Sequence, residues 1–87
     1  MRNTNQKKRP LIAEKGMVRI NHEHLPWNKR LRILRKISEI TQEQAAQLCS
    51  THAKNYWLWE KGWVEPNDEN KKIIAKAFQV SEKWLFG

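Results

Sequence analysis

The chain has a single cysteine, so no disulfide can form within it. No stretch is apolar for long enough to cross a membrane, and none resembles a signal peptide. Both absences lead us to expect the reducing cytoplasm as its compartment. Metal ligands are scarce as well. Cys49 has no cysteine or histidine partner at ligand spacing, and His22 with His24 supplies only two ligands in an extended segment. We therefore expect no metal and no other cofactor. Ser50, His52 and Glu60 carry catalytic chemistry in principle, but their spacing puts them at helix ends and implies neither a pocket nor an orienting network. An enzyme is not expected. With 87 residues, the chain suits one compact helical core better than a large enclosed active site.

Acidic residues are also in short supply. Seventeen lysines and arginines stand against nine aspartates and glutamates, and the formal charge of +8 favours a polyanionic partner. Nucleic acid comes first and an anionic membrane surface second. The imbalance is local. Residues 1–10 contain Arg2, Lys7, Lys8 and Arg9 without an acid, and residues 27–36 contain Lys29, Arg30, Arg32, Arg35 and Lys36, again without one. Between Ile37 and Glu60, by contrast, three glutamates face one lysine. The segment WNKRLRILRKIS could lie on a membrane as a basic amphipathic helix, but its leucines are needed for a core.

The most telling stretch present is TQEQAAQLCSTHAKNYWLWEKG, from Thr41 to Gly62. Thr41 followed by Gln42 and Glu43 reads as a helix start, because its hydroxyl can accept a first-turn N–H and an early carboxylate suits the positive end of the helix dipole. This helix runs to about Cys49. Ser50, Thr51 and His52 compete locally for backbone hydrogen bonds and break it. A second helix starts near Ala53 and ends where Gly62 can adopt a positive φ. Two short helices so closely joined should cross steeply, as in a helix-turn-helix, whose second helix enters the DNA major groove.

Around this pair the chain divides into a basic N-terminal extension, residues 1–26, and a helical domain, residues 27–87. Residues 1–10 have nothing to bury and read as a flexible arm. Residues 11–20 carry Leu11, Ile12, Met17, Val18 and Ile20 around a Glu-Lys-Gly turn, compatible with a small β-hairpin or one extended strand. Pro26 opens the first domain helix, about Trp27 to Ser38. In it Trp27, Leu31 and Leu34 form a core-facing stripe, and Ile33, Ile37 and Ile40 a second, of which Ile40 turns inward. Ile33 and Ile37 then need cover from residues 11–20 or from a second subunit. A further helix begins near Asn67 or Asp68, burying Ile73 with Ala77 and Ile74 with Phe78. Ser81 caps a short last helix. Leu48, Tyr56, Trp59 and Val80 complete the expected core.

From Asn28 to Gly87 the chain resembles the Cro and lambda-repressor-like family of bacterial and phage regulators, the XRE family. The resemblance rests on RLRILRK at 30–36, TQEQAAQL at 41–48, WEKG at 59–62, EP at 65–66 and AKAFQVSEKWLFG at 75–87, in register and without a gap. It implies an all-α, five-helix domain that binds double-stranded DNA as a homodimer on a two-fold symmetric operator, in a nucleoid-associated bacterial or phage-encoded protein. It also implies that Arg35 pairs with Glu60 in a largely buried ion pair. Gln42 falls where the family has a glutamine whose amide meets a DNA phosphate, and its plainer alternative is a solvated helix-start residue. Trp84 and Leu85 match core positions, Cys49 stands where a buried leucine is usual, and Phe86 is a candidate dimer contact.

The reading helix so implied presents Ala53, Lys54, Asn55, Trp57 and Leu58 outward while Tyr56 and Trp59 turn in. Lys54 can donate to guanine, Asn55 can pair with an adenine edge or a phosphate, and Ala53 can touch a thymine methyl. Lys61 should grip phosphate. Several positions depart from the family pattern. Trp57, Leu58 and Trp63 replace polar or basic residues, a composition that suits a protein hot spot better than a base edge. Glu39 and Gln79 replace glycines at helix ends, so those corners need other backbone angles or accept strain. Ala45 and Lys71 replace larger apolar residues, and Trp63 or the N-terminal segment could fill the space. The expectation is a DNA-binding transcription regulator acting as a repressor; the alternative is a partner-binding protein, such as an antitoxin or antagonist, that uses Trp57, Leu58 and Trp63.

Overall fold

The computed structural model describes residues 25–87, and the expected arm and hairpin of residues 1–24 lie outside the described residues. The described part is all-helical, with α1 at Trp27–Ile37, α2 at Gln42–Leu48, α3 at Ala53–Lys61, α4 at Asp68–Phe78 and α5 at Glu82–Phe86. None of these helices is long and apolar enough to cross a membrane.

Local chemistry explains most boundaries. Thr41 accepts from the Gln44 amide while the Gln44 side chain returns a bond to the Thr41 N–H, a reciprocal capping box. Asn67 and Ser81 cap α4 and α5 by accepting from Asn70 and Trp84 amides at 2.8 and 2.9 Å. Gly62 ends α3 at φ 76°, where a Cβ would come within 3.0 Å of the Asn28 side chain. The two corners lacking a glycine accept strain: Glu39 and Gln79 sit at φ 59° and 60°, and Ser50 joins them at 57°.

The core forms where the helical stripes converge. Leu31 and Leu34 of α1 are fully buried, with Trp27 and Ile40 packed at the margin. From α3 come Tyr56 and Trp59, their rings in edge contact, and from α4 and α5 come Ile74, Phe78 and Leu85. α3 packs on both α2 and α1, while α5 packs on α4 and α1. Arg30 ties the ends of the domain together, since its guanidinium donates to the carbonyls of Leu25 and Trp84.

Two expectations, for Leu48 and Trp63, need correction. Leu48 is 53% exposed, because the inward face of α2 is centred on Ala45, Ala46 and Cys49 and turning about 100° per residue carries position 48 round to the flank. Ala45 and Ala46 are buried in the core, and the N-terminal segment offered as a filler lies outside the described residues. Trp63 is 69% exposed and fills nothing, since the left-handed Gly62 turns the chain outward before it. Lys71 packs with its ammonium over the Phe86 ring and pairs with Glu65 at 2.8 Å. Phe86 meets Trp27 of its own chain, ring centroids 5.7 Å apart, and is half-buried. Of the second α1 stripe, Ile37 is exposed and Ile33 half-buried.

Candidate nucleic-acid interface

The site is built on Glu60, which α3 buries on its inner face beside Tyr56 and Trp59. A buried carboxylate requires donors, and two neighbouring helices supply them. Arg35 of α1 donates through Nε to Oε2 at 2.6 Å and through Nη2 to Oε1 at 3.2 Å; Gln42 of α2 donates through Nε2 to Oε1 at 3.0 Å. The remaining Arg35 nitrogen donates to the Ile40 carbonyl at 3.0 Å. Burial opposes ionisation of Glu60, but the bonds from Arg35 and Gln42 outweigh it and hold the carboxyl below its ordinary range. The bond to Glu60 raises Arg35 correspondingly, against its own burial. Burial pushes the Tyr56 hydroxyl and the Cys49 thiol up, the latter to about 12.

This network forms the wall of an open hollow of about 570 Å³. Arg35, Thr41, Gln42 and Glu43 line one side; Ala53, Lys54 and Trp57 of α3 line the other. His52 caps α3 without a side-chain hydrogen bond, so the leading amides beside Lys54 can meet an outside acceptor. The hollow can take an anionic oxygen near Lys54 and these amides, provided that it keeps away from Glu43.

Of the residues singled out in the sequence, Gln42, Ala53, Lys54 and Trp57 meet at the hollow, whereas Asn55, Leu58 and Lys61 do not line it. Ala53, Lys54 and Lys61 are exposed; Asn55, Trp57 and Leu58 are half-buried, less open than expected. The Gln42 amide is committed to Glu60, so a phosphate would have to compete for it. The Asn55 amide donates to Thr51 Oγ1 at 2.8 Å, which orients its side chain along the turn before α3. Lys61 rests its ammonium 5.4 Å from the Trp57 ring centroid.

Two contributors escaped the sequence reading. Glu43 brings negative charge into the hollow, a consequence of the α2 and α3 packing that no local pattern encodes. Asn28, the second residue of α1, donates to the Glu60 carbonyl at 3.0 Å and so ties off the end of α3 from 32 residues away. No family model matches the chain, and neither a curated protein nor a solved structure does.

Proposed function

We propose that the protein is a sequence-specific DNA-binding regulator of the Cro and lambda-repressor-like type, a repressor that acts as a homodimer on a two-fold symmetric site. Lys54 carries the reading: it is exposed in the leading turn of α3, beside uncapped amides and in the hollow shared with α2. An ammonium there can donate to guanine O6 or N7 while the adjoining amides hold a phosphate. The net charge of +8 supports the same partner and supplies affinity that α3, with few charges of its own, lacks. Arg35 and Glu60 act as scaffold, fixing the angle at which α3 is presented, and the reading includes no catalytic step.

A second reading is a partner-binding protein on the same scaffold, favoured by the exposure of Trp63 next to Trp57. Titrating labelled random duplex and the protein's own upstream region at several salt concentrations separates the two. DNA binding predicts affinity that falls steeply with salt, and Lys54→Glu should erase any preference between duplexes. If neither duplex binds below about 100 μM at low salt, weaker than ordinary non-specific association, the second reading replaces the first.

A further inference from the structure

Immediately after α3 the chain makes an unusual corner. Gly62 at φ 76° turns it outward, and Trp63 follows with 69% of its surface in solvent. It is the most exposed large apolar side chain among the described residues. It is also held in place. The Trp57 ring meets it perpendicularly, at an interplanar angle of 85° and a centroid distance of 5.4 Å, and the Lys61 ammonium lies 5.4 Å from the Trp57 centroid. A perpendicular contact can use at most one of the two faces of the Trp63 indole, so a flat apolar face remains open.

Val64 beside Trp63 is exposed too, and Glu65 beyond pairs with Lys71. Lys61 belongs to the same aromatic cluster, and Lys54 stands in the hollow that Trp57 also lines. The cores of protein interfaces are depleted of lysine, whereas a π face beside an ammonium matches the base-and-phosphate repeat of a nucleic acid. Bases within a duplex have their faces occupied by their neighbours; an unpaired base offers one. We propose that Trp63, braced by the Trp57 ring that carries the Lys61 ammonium, is a stacking platform for an unpaired base, and that the protein binds single-stranded nucleic acid through this corner. The inference rests on the nucleic-acid reading above and adds to it a second class of ligand.

The test uses the full chain and three labelled probes: an oligothymidylate of about 12 nucleotides, an abasic strand of equal length and charge, and a duplex. The wild type should bind the oligothymidylate more tightly than the abasic strand. Trp63→Ala should weaken oligothymidylate binding by about 5- to 100-fold, leaving the abasic strand unaffected, and Trp63→Phe should fall between. Circular dichroism of each variant confirms the fold. Equal affinity of the wild type for both strands, or an unchanged affinity in Trp63→Ala, overturns the stacking platform; duplex binding in the same series would leave the regulator reading standing. Failure of all three probes to bind overturns both. Loss of self-association in Trp63→Ala with oligothymidylate affinity unchanged also overturns it, and assigns the indole to a second copy.

Discussion

Arg35 and Glu60 join α1 to the end of α3 through two N–H···O bonds, and their side chains are only 13% and 4% exposed. A bidentate pair so sheltered fixes orientation as well as distance. It is also the point at which the scaffold and the proposed reading surface share atoms, because Gln42 and the hollow are built onto it.

Arg35→Ala should therefore destabilise the domain by about 3–5 kcal/mol, since it strands a buried carboxylate. The double change Arg35→Met with Glu60→Leu should recover most of that loss, because it removes both charges and keeps the volume. Urea unfolding of the three proteins checks this. A double variant as unstable as the single one would mean that the guanidinium matters through packing or its bond to the Ile40 carbonyl, and not through the pair.

Acid should unfold the protein partly through the same carboxyl. Its folded-state pKa is lowered, so its contribution is present above the unfolded value, about 4.3, and is lost as the pH falls through the folded value. The stability gap between the wild type and Glu60→Gln, followed by thermal melts, should be constant from neutral pH to about 5 and shrink below about 4. A gap that stays the same down to pH 3 contradicts the assignment.

At the alkaline end, Cys49 gives the opposite sign. Burial raises its thiol to about 12, so the stabilising neutral form is retained in the fold and its contribution is lost as pH rises from the unfolded value through the folded one. A fully buried thiol of this kind should resist a thiol-specific reagent at neutral pH and react on unfolding in urea. Rapid labelling of the native protein would show that α2 opens locally.

The left-handed corners make a further pair of predictions. Gln79 is exposed at φ 60° and ψ 42°, so Gln79→Gly should stabilise by about 0.5–1 kcal/mol, the relief of strain exceeding the entropy cost of glycine. Gly62→Ala should cost about 1–2 kcal/mol, because the new Cβ adds strain and meets an Asn28 side chain that cannot retreat without releasing the Glu60 carbonyl. Midpoints of urea unfolding at constant slope read both.

Helix existence, caps and core stripes were legible from residue order because each depends on a few neighbours. Thr41, Asn67 and Ser81 accept from amides three positions ahead, Gly62 stops its own helix, and Leu31, Leu34, Tyr56, Trp59, Ile74 and Phe78 recur at helical spacing. The Arg35 and Glu60 pairing was anticipated only through a family resemblance, since 25 positions separate the partners. Leu48 misled because size suggested burial, while the phase set by Ala45, Ala46 and Cys49 decided otherwise.

Charge balance, helical content and the positions of turns were determined by the sequence alone, through interactions within one or two helical turns. Tertiary structure decided the rest: that Gln42 serves Glu60, that Glu43 and Lys54 share a hollow, that Phe86 covers Trp27 and that Trp63 stands open to solvent. The reason is physical. A side chain's partners depend on how close and at what angle separate helices pack, and that is settled only when every helix competes at once for the same apolar core.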